Sequence, residues 1–327
     1  MLNLIKELSQ AYGPSGREEE VRSLIQGELQ GKVEDVYTDS LGNLVAVREG
    51  KGKRIMVAAH MDEIGLIVTH VDDEGFLRFS SIGGLLPTSV MGRRFLLPGG
   101  IRATVGVEKP EDLKDLSFKK MYLDIGAKDK KEALKEVGIG HMAVFESSFA
   151  AAGSRFSGKA MDDRIGCAVL LKALEEVQTH NEIYFVFTVQ EEVGLRGART
   201  SAYRLNPEIG LAVDVTRSGD TPEAHKMAVG LGKGPAVKVK DTSMIAHPRV
   251  KERMMTVAEK EGIPYQLEVL ERGGTDAGGI HMTREGIPSG VMSIPCRYIH
   301  TAAEMVDAGD VDYARRFLVA LLEDSWE

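Results

Sequence analysis

The sequence predicts an α/β fold, a central sheet with helices on both faces that is interrupted by one small β-rich domain. Three observations carry this. From residue 161 onward, helical and extended patterns alternate, the pattern of a sheet covered by helices. The apolar run Ile55-Met56-Val57-Ala58-Ala59 reads as a buried strand of the same sheet. Between 69 and 158, short alternating stretches such as Gly75-Phe76-Leu77-Arg78-Phe79 are parted by Gly, Pro and Asp. The expected division is a main domain of residues 1–68 and 159–327 with residues 69–158 inserted.

The elements follow in chain order. A helix is expected at about 2 to 11 and another at about 16 to 30, with Ser15 and Glu18 as a capping box and Val21, Leu24, Ile25 and Leu29 as the apolar face. Asp39-Ser40-Leu41-Gly42-Asn43 turns a hairpin. One helix, around 129 to 137, interrupts the β-rich stretch. Beyond it, helices are expected at about 163–179, 196–204, 247–261, 276–285 and 310–325. Strands are expected at 182–189, 209–215, 265–271 and 289–294. The chain shows no internal repeat.

Composition narrows the function classes. The 327 residues are 43% hydrophobic and 28% charged, an ordinary globular balance with room for two domains. No apolar run approaches the roughly 18 residues that cross a bilayer, and the first residues lack the apolar core and cleavage site of a signal peptide. Two cysteines, Cys167 and Cys296, make no disulfide framework and suit a reducing compartment, so a cytoplasmic location is expected. A net charge of −8 without a Lys/Arg-rich run argues against nucleic acid as a partner. Aromatics at 6%, with Trp326 the single tryptophan, weaken a sugar-stacking groove.

In open α/β sheets ligands bind beyond the carboxyl ends of the strands, so the residues at those ends matter most. Strand 55–59 runs into His60 and Asp62, strand 182–189 into Gln190-Glu191-Glu192, and strand 209–215 carries Asp214 near its end. His300 follows strand 289–294, and Asp162-Asp163 immediately precedes a helix. This collection has the makeup of a two-metal site. Two cations about 3.5–4 Å apart repel one another and call for a bridging carboxylate, and imidazole with carboxylate suits zinc and its neighbours. The expected ligands are His60, Asp162 and Asp214 for one ion and Asp162, Glu192 and His300 for the other. A water bridging them would lose a proton near neutral pH. Glu191 remains as general base and acid, taking a proton as that water attacks a carbonyl and delivering it to a leaving amine. Asp62 is placed to orient the His60 imidazole. Asp163 reads as a helix cap or a partner of Arg164.

The wording around these residues resembles a known family. His60-Met61-Asp62-Glu63-Ile64-Gly65, Lys159-Ala160-Met161-Asp162-Asp163-Arg164, Val189-Gln190-Glu191-Glu192-Val193-Gly194-Leu195-Arg196-Gly197-Ala198 and Asp214-Val215-Thr216 look like signatures of the deblocking and glutamyl aminopeptidases. Arg272-Gly273-Gly274-Thr275-Asp276-Ala277-Gly278 and Arg297-Tyr298-Ile299-His300-Thr301 extend the likeness over nearly the whole chain. The resemblance implies a binuclear metallopeptidase of the tetrahedral aminopeptidase type, using two divalent ions, zinc or cobalt foremost and manganese as a further option. His60, Asp162, Glu192, Asp214 and His300 match the family's ligands, Glu191 its catalytic glutamate and Asp62 its supporting aspartate. The same resemblance implies that the insertion is a β-barrel mediating dimerisation and that subunits assemble into dodecamers acting on peptides. Thr301-Ala302-Ala303-Glu304 departs from the family, which more often has a Ser-Pro-like pair before Glu; this touches the pocket wall and no ligand.

Gly274, Thr275 and Asp276 are candidates for the substrate wall, since glycine permits close backbone approach and Asp276 has the charge to meet a substrate. The competing reading is that Thr275 or Asp276 caps the following helix. Two glycine-rich segments are weaker signals. Gly153-Ser154-Arg155-Phe156-Ser157-Gly158-Lys159-Ala160 lacks the final hydroxyl of a phosphate loop. Gly230-Leu231-Gly232-Lys233-Gly234-Pro235 is followed by a strand pattern where a dinucleotide site needs a helix. Two rival activities remain: an endoglucanase-type glycoside hydrolase using two carboxylates, which leaves His60 and His300 without a role, and a related metallohydrolase acting on another amide.

Overall fold

Apolar runs alternating with amphipathic helices set the architecture of the computed structural model, which describes residues 1–109 and 113–326. Helices α1 (Leu2–Gln10) and α2 (Glu19–Leu29) precede strands β1 (Asp35–Thr38), β2 (Leu44–Arg48) and β3 (Arg54–His60). Then come β4 (Gly65–Val71), β5 (Leu77–Ile82), the single turn α3 (Pro87–Val90), β6 (Arg94–Leu96), β7 (Arg102–Val107), β8 (Met121–Asp124), α4 (Lys130–Glu136) and β9 (Met142–Phe145). The chain returns through β10 (Ala150–Ala152), β11 (Arg155–Gly158), α5 (Met161–Glu176), β12 (Glu182–Thr188), α6 (Arg196–Leu205) and β13 (Ile209–Arg217). It ends with β14 (Ala236–Lys240), α7 (Pro248–Lys260), β15 (Gln266–Val269), α8 (Asp276–His281), β16 (Ser289–Arg297), β17 (Glu304–Asp307) and α9 (Ala308–Glu323). Among the described residues no helix is long and apolar enough to cross a membrane.

The large sheet has the order β1-β2-β12-β3-β13-β16-β17-β11-β10, with β14 and β15 branching from β16. Its centre, β12-β3-β13-β16, is parallel. Burial on both faces follows from alternation along β3: Ile55, Val57 and Ala59 pack with residues of α5 and α9, while Met56 and Ala58 pack with Ala198, Ala202 and Ile280 of α6 and α8. Each large apolar side chain so buried, such as Phe185 or Phe187, contributes about 1.5–3 kcal/mol. The inserted strands close a separate barrel, β4-β5-β8-β7-β6-β9, around its own core that includes Leu66, Leu77, Phe95 and Phe145.

Several boundaries differ from the sequence reading. Barrel strands span Gly65–Phe145, whereas β10 and β11 belong to the large sheet through the β11–β17 pairing; β4 leaves β3 after only four residues, so no linker marks the passage. Ser15 and Glu18 form no capping box. Ser15 Oγ donates to Asp62 at 2.6 Å and Glu18 accepts from the Gly16 N–H at 2.6 Å, because tertiary partners claim both side chains. The helix expected at 276–285 is shorter, ending at His281. Strand β16 runs three residues past 294 and tolerates Pro295, which falls between the residues paired with β14 and those paired with β17. Gly153 and Ser154 form the turn between β10 and β11, and the rest of that glycine-rich segment runs into strand β11; the main-chain N–H groups of Gly232 and Gly234 are held by Asp310 at 2.7 Å each, in the turn that precedes β14.

Candidate metal centre

The parallel strands deliver reactive side chains to one edge. His60 is the last residue of β3, Glu191 and Glu192 follow β12, Asp214 lies in β13, His300 follows β16, and Asp162 stands in the first turn of α5. All converge. His60 Nε2 lies 3.0 Å from Asp162 Oδ1, 4.0 Å from Asp214 Oδ1 and 3.9 Å from Glu191 Oε2. His300 Nε2 lies 3.3 Å from Asp162 Oδ2 and 3.1 Å from Glu192 Oε1. Asp162 thus turns one oxygen toward each histidine.

The donor set fits divalent cations. His60 Nδ1 sits 3.0 Å from the Asp62 carbonyl and His300 Nδ1 sits 2.9 Å from the Gly84 carbonyl. A carbonyl needs an N–H opposite it, which leaves the lone pair of each neutral imidazole on Nε2, aimed at carboxylates. Lone pairs facing anions call for positive charge between them. The electrostatics carry the same message. Burial works against charging His300, but Glu192 and Asp162 outweigh it and push the pKa up to about 12. Burial also opposes ionisation of Asp162, yet hydrogen bonds from His300 and His60 hold its carboxyl below the usual range. Burial drives Asp214 well up, reinforced by the charge of Asp162. Glu191 is likewise pushed well up, first by burial, with Asp214 and Glu192 adding to it against His60.

Buried carboxylates hold the ligand-bearing backbone. Asp62, fully buried, accepts the N–H of Glu191 at 2.9 Å and of Glu192 at 3.2 Å. Its carboxylate lies 3.6 Å from His60 Nδ1, too far for a hydrogen bond. The imidazole is oriented by the Asp62 main-chain carbonyl, where the sequence reading assigned the side chain. Asp163 accepts from the Gly166 N–H at 3.0 Å and from the His60 N–H at 3.2 Å. It also brings an oxygen within 4.8 Å of ligand atoms of His60 and Asp214, but its bonds to main-chain N–H groups make it a helix cap.

Sequence reasoning missed two further supports. Glu304, 1% exposed, accepts from the Asp162 N–H at 3.0 Å and the His300 N–H at 2.7 Å. Burial followed by the charge of Asp162 pushes its pKa up to about 8. Its cues in the sequence were its position four residues after His300 and its place as the Glu that ends Thr301-Ala302-Ala303-Glu304. Behind the site, Lys159 Nζ bonds both oxygens of Glu63 at 2.7 and 2.8 Å, and Arg164 Nε donates to the Met61 carbonyl at 2.7 Å. This ties the His60 segment to the Asp162 segment.

The backbone is strained where these segments turn inward. Ala160, Gln190 and His300 have φ of 52°, 57° and 65°, left-handed values that cost non-glycine residues on the order of 1–3 kcal/mol. Gly83, at φ +73°, brings the barrel against the site: a Cβ there would stand 2.6 Å from Ile64 Cγ2 and 2.9 Å from Glu192 Oε2.

A cavity of about 340 Å³ holds Asp162, Glu191, Glu192, Asp214 and His300, and Gly273 and Gly274 form part of its wall. Thr275 and Asp276 do not line it. Asp276 is buried and accepts from Thr188 Oγ at 2.5 Å, and neither residue makes a side-chain capping bond to α8. Asp276 therefore supports the floor beneath the cluster instead of reaching into the cavity.

Comparison with known proteins gives the family of the chain. The family model described as M42 glutamyl aminopeptidase matches residues 42–317. A putative aminopeptidase of Acetivibrio thermocellus is 52% identical, with 98% of this chain and 97% of the relative covered. The solved aminopeptidase of Desulfurococcus kamchatkensis superposes with a TM-score of 0.95 at 41% identity, covering 98% of this chain and 94% of that one. The Pyrococcus horikoshii TET1 peptidase, whose structure is described as assembling into a tetrahedron or a large octahedral shell, gives 0.89 at 32% identity and covers 99% of each chain. On this agreement of sequence and fold, the chain belongs to the M42 glutamyl aminopeptidase family and is an aminopeptidase.

Proposed function

We propose that this aminopeptidase works with two divalent cations, zinc or cobalt foremost, one held by His60, Asp162 and Asp214 and the other by Asp162, Glu192 and His300. The observation that carries the reading is the division of the Asp162 carboxylate, one oxygen toward each histidine. Cations bound there supply Lewis acidity to the scissile carbonyl and lower the pKa of water toward neutrality. Glu191 is the proton carrier: its carboxylate takes a proton from the attacking water and returns it to the leaving amine. Asp62 and Glu304 keep the backbone of Glu191, Glu192, Asp162 and His300 from shifting during that transfer. The peptide's amino-terminal end enters the cavity beside the cluster, where Gly273 and Gly274 permit close backbone approach.

By likeness to solved TET1 structures, one described as a dodecamer and one as a tetrahedron or octahedral shell, the subunits assemble into a dodecamer, and the family resemblance makes the barrel its dimerisation module. The two cysteines are free and buried, which suits a cytoplasmic workplace.

The test joins metal analysis to substrate release. Purified protein should hold two divalent ions per chain, free amino-terminal residues from unblocked peptides, ignore their N-acetylated forms, and lose activity to a chelator until a divalent ion is restored. Saturation at one ion per chain, or turnover that resists chelation, overturns the two-cation reading. Release of sugars from cellulose with no peptide turnover would point instead to the two-carboxylate glycosidase.

A further inference from the structure

We propose that Glu18 is a positioning residue for Glu191, holding the backbone turn that presents it; this rests on the reading of Glu191 as the proton carrier. Four consecutive main-chain N–H groups, Val189 to Glu192, end on side-chain oxygens from elsewhere in the chain. Val189 N–H donates to Asn43 Oδ1 at 2.9 Å, Gln190 N–H to Glu18 Oε1 at 3.2 Å, and the N–H groups of Glu191 and Glu192 to Asp62 at 2.9 and 3.2 Å. Glu18 thus takes the N–H of the residue immediately before Glu191.

Gln190 is where this turn is hardest to hold. Its φ of 57° is left-handed, a conformation that disfavours a residue with a β-carbon and persists where the surroundings over-determine it. The two peptide planes that flank Gln190 fix its conformation. Their carbonyl ends, at Val189 and Gln190, accept from the Gly197 N–H at 3.0 Å and the Arg196 N–H at 3.3 Å, which ties the turn to the start of α6. Their N–H ends go to Glu18 and Asp62, which ties the turn to the segment that carries His60. Glu18's own loop is fastened to that segment: the Glu63 N–H donates to the Gly13 carbonyl at 3.0 Å and Ser15 Oγ to Asp62 at 2.6 Å. Removing the Glu18 acceptor frees one plane, and rotation of that plane moves the Glu191 carboxylate from its place 3.9 Å from His60 Nε2.

Glu18 has no competing duty in its own helix. It stands at the amino-terminal end of α2, 3% exposed, and its side chain makes no capping bond there. Its Oε1 serves Gln190 and, at 2.6 Å, the Gly16 N–H. Burial pushes its pKa up to about 7, against the Gly16 bond and with the charge of Asp62. Neutral or ionised, Oε1 remains an acceptor, so the turn requires reach more than charge.

Three variants separate these properties. Glu18→Gln keeps reach and acceptor without the charge, Glu18→Asp keeps the charge on a side chain one methylene shorter, and Glu191→Gln reports whether the proton carrier matters. On an unblocked dipeptide, kcat of Glu18→Asp should fall about tenfold or more, as misplacement of a reacting group does, with KM and bound divalent ions as in wild type. Glu18→Gln should keep a kcat close to wild type. Equal kcat in wild type and Glu18→Asp, or a Gln variant as impaired as the Asp variant, overturns the positioning role. Activity lost together with metal or with folded structure, read by elemental analysis and circular dichroism, makes Glu18 a structural support and overturns it as well. Full turnover by Glu191→Gln overturns the proton-carrier reading and the proposal with it, whereas an impaired Glu191→Gln beside an intact Glu18→Asp overturns the proposal alone.

Discussion

Asp62 Oδ1 accepts the main-chain N–H of Glu191 at 2.9 Å, so the aspartate two residues beyond a candidate ligand anchors the candidate general base through its backbone. Its other oxygen accepts from the Glu192 N–H and the Ser15 hydroxyl. Burial opposes ionisation of Asp62, but the neighbouring His60 imidazole, the Ser15 hydroxyl and the Glu191 N–H together keep its carboxyl below the usual range. Asp62→Asn replaces one acceptor oxygen by a donor facing a donor. Charge-assisted hydrogen bonds contribute about 1.5–3 kcal/mol each, so kcat at saturating metal should fall roughly 10- to 100-fold. Steady-state kinetics on an unblocked peptide checks this, and an unchanged kcat would mean that the anchor does not matter to turnover.

Glu191→Gln keeps the shape of the side chain and removes its proton-carrying function. Turnover should drop by about 10²- to 10⁴-fold, while bound metal stays near two ions per chain because Glu191 is not among the proposed ligands. Kinetics paired with elemental analysis reads both. Loss of metal in step with activity would make Glu191 a ligand and leave the proton transfer without a carrier.

Glu304 tests whether the backbone around the candidate ligands needs to be held. A carboxylate accepts from both Asp162 and His300, whereas the amide in Glu304→Gln has one acceptor oxygen. The variant should bind its second cation about tenfold more weakly, since supports one step removed from a metal typically matter by 10- to 100-fold. Competition with a chromogenic chelator gives the two affinities separately. Equal affinities in wild type and variant would reduce Glu304 to a packing role.

The fold was legible because its strongest signals are local: the run Ile55–Ala59 and the helix–strand alternation after 161 both depend on burial repeating at short sequence spacing. Candidate ligands were legible for a related reason, as parallel strands place their carboxyl ends together whatever intervenes. The reading failed where a side chain's partner is remote in sequence. Ser15 looks like a cap until Asp62, 47 residues away, claims its hydroxyl. Glu304 sits four residues from His300, whose N–H it accepts, but its bond to Asp162 spans 142 residues and no local pattern announces it. The short strand Glu304–Asp307 is held between β16 and β11 with no alternation that announces it.

The buried pair Lys159 and Glu63 ties two ligand-bearing segments together, with the two residues 3% and 1% exposed. Lys159→Met leaves the Glu63 carboxylate in the interior with Arg164 at 3.4 Å as its remaining cation. Removing one member of a buried pair costs about 3–5 kcal/mol, whereas replacing both with apolar groups is often near neutral. Denaturant unfolding should therefore show a large loss for Lys159→Met and a smaller one for Lys159→Met combined with Glu63→Leu. A double variant as unstable as the sum of the two single variants would mean that the charges stabilise the protein in their own right.

Asp220 provides a pH-dependent test outside the acidic cluster. Hydrogen bonds from the Arg297 guanidinium hold its carboxyl well below the ordinary carboxylate range, against a smaller opposing effect of burial. A group whose pKa is depressed on folding contributes stability above its unfolded value, about 3.9 for aspartate, and loses that contribution as pH falls through the lower native value. Asp220→Asn has no carboxylate to protonate. The stability gap between wild type and variant should therefore be constant above about pH 5 and close progressively below about pH 4, as measured by denaturant unfolding at a series of pH values. A gap that holds steady into strong acid would mean that the Arg297 contact does not depend on the charge of Asp220.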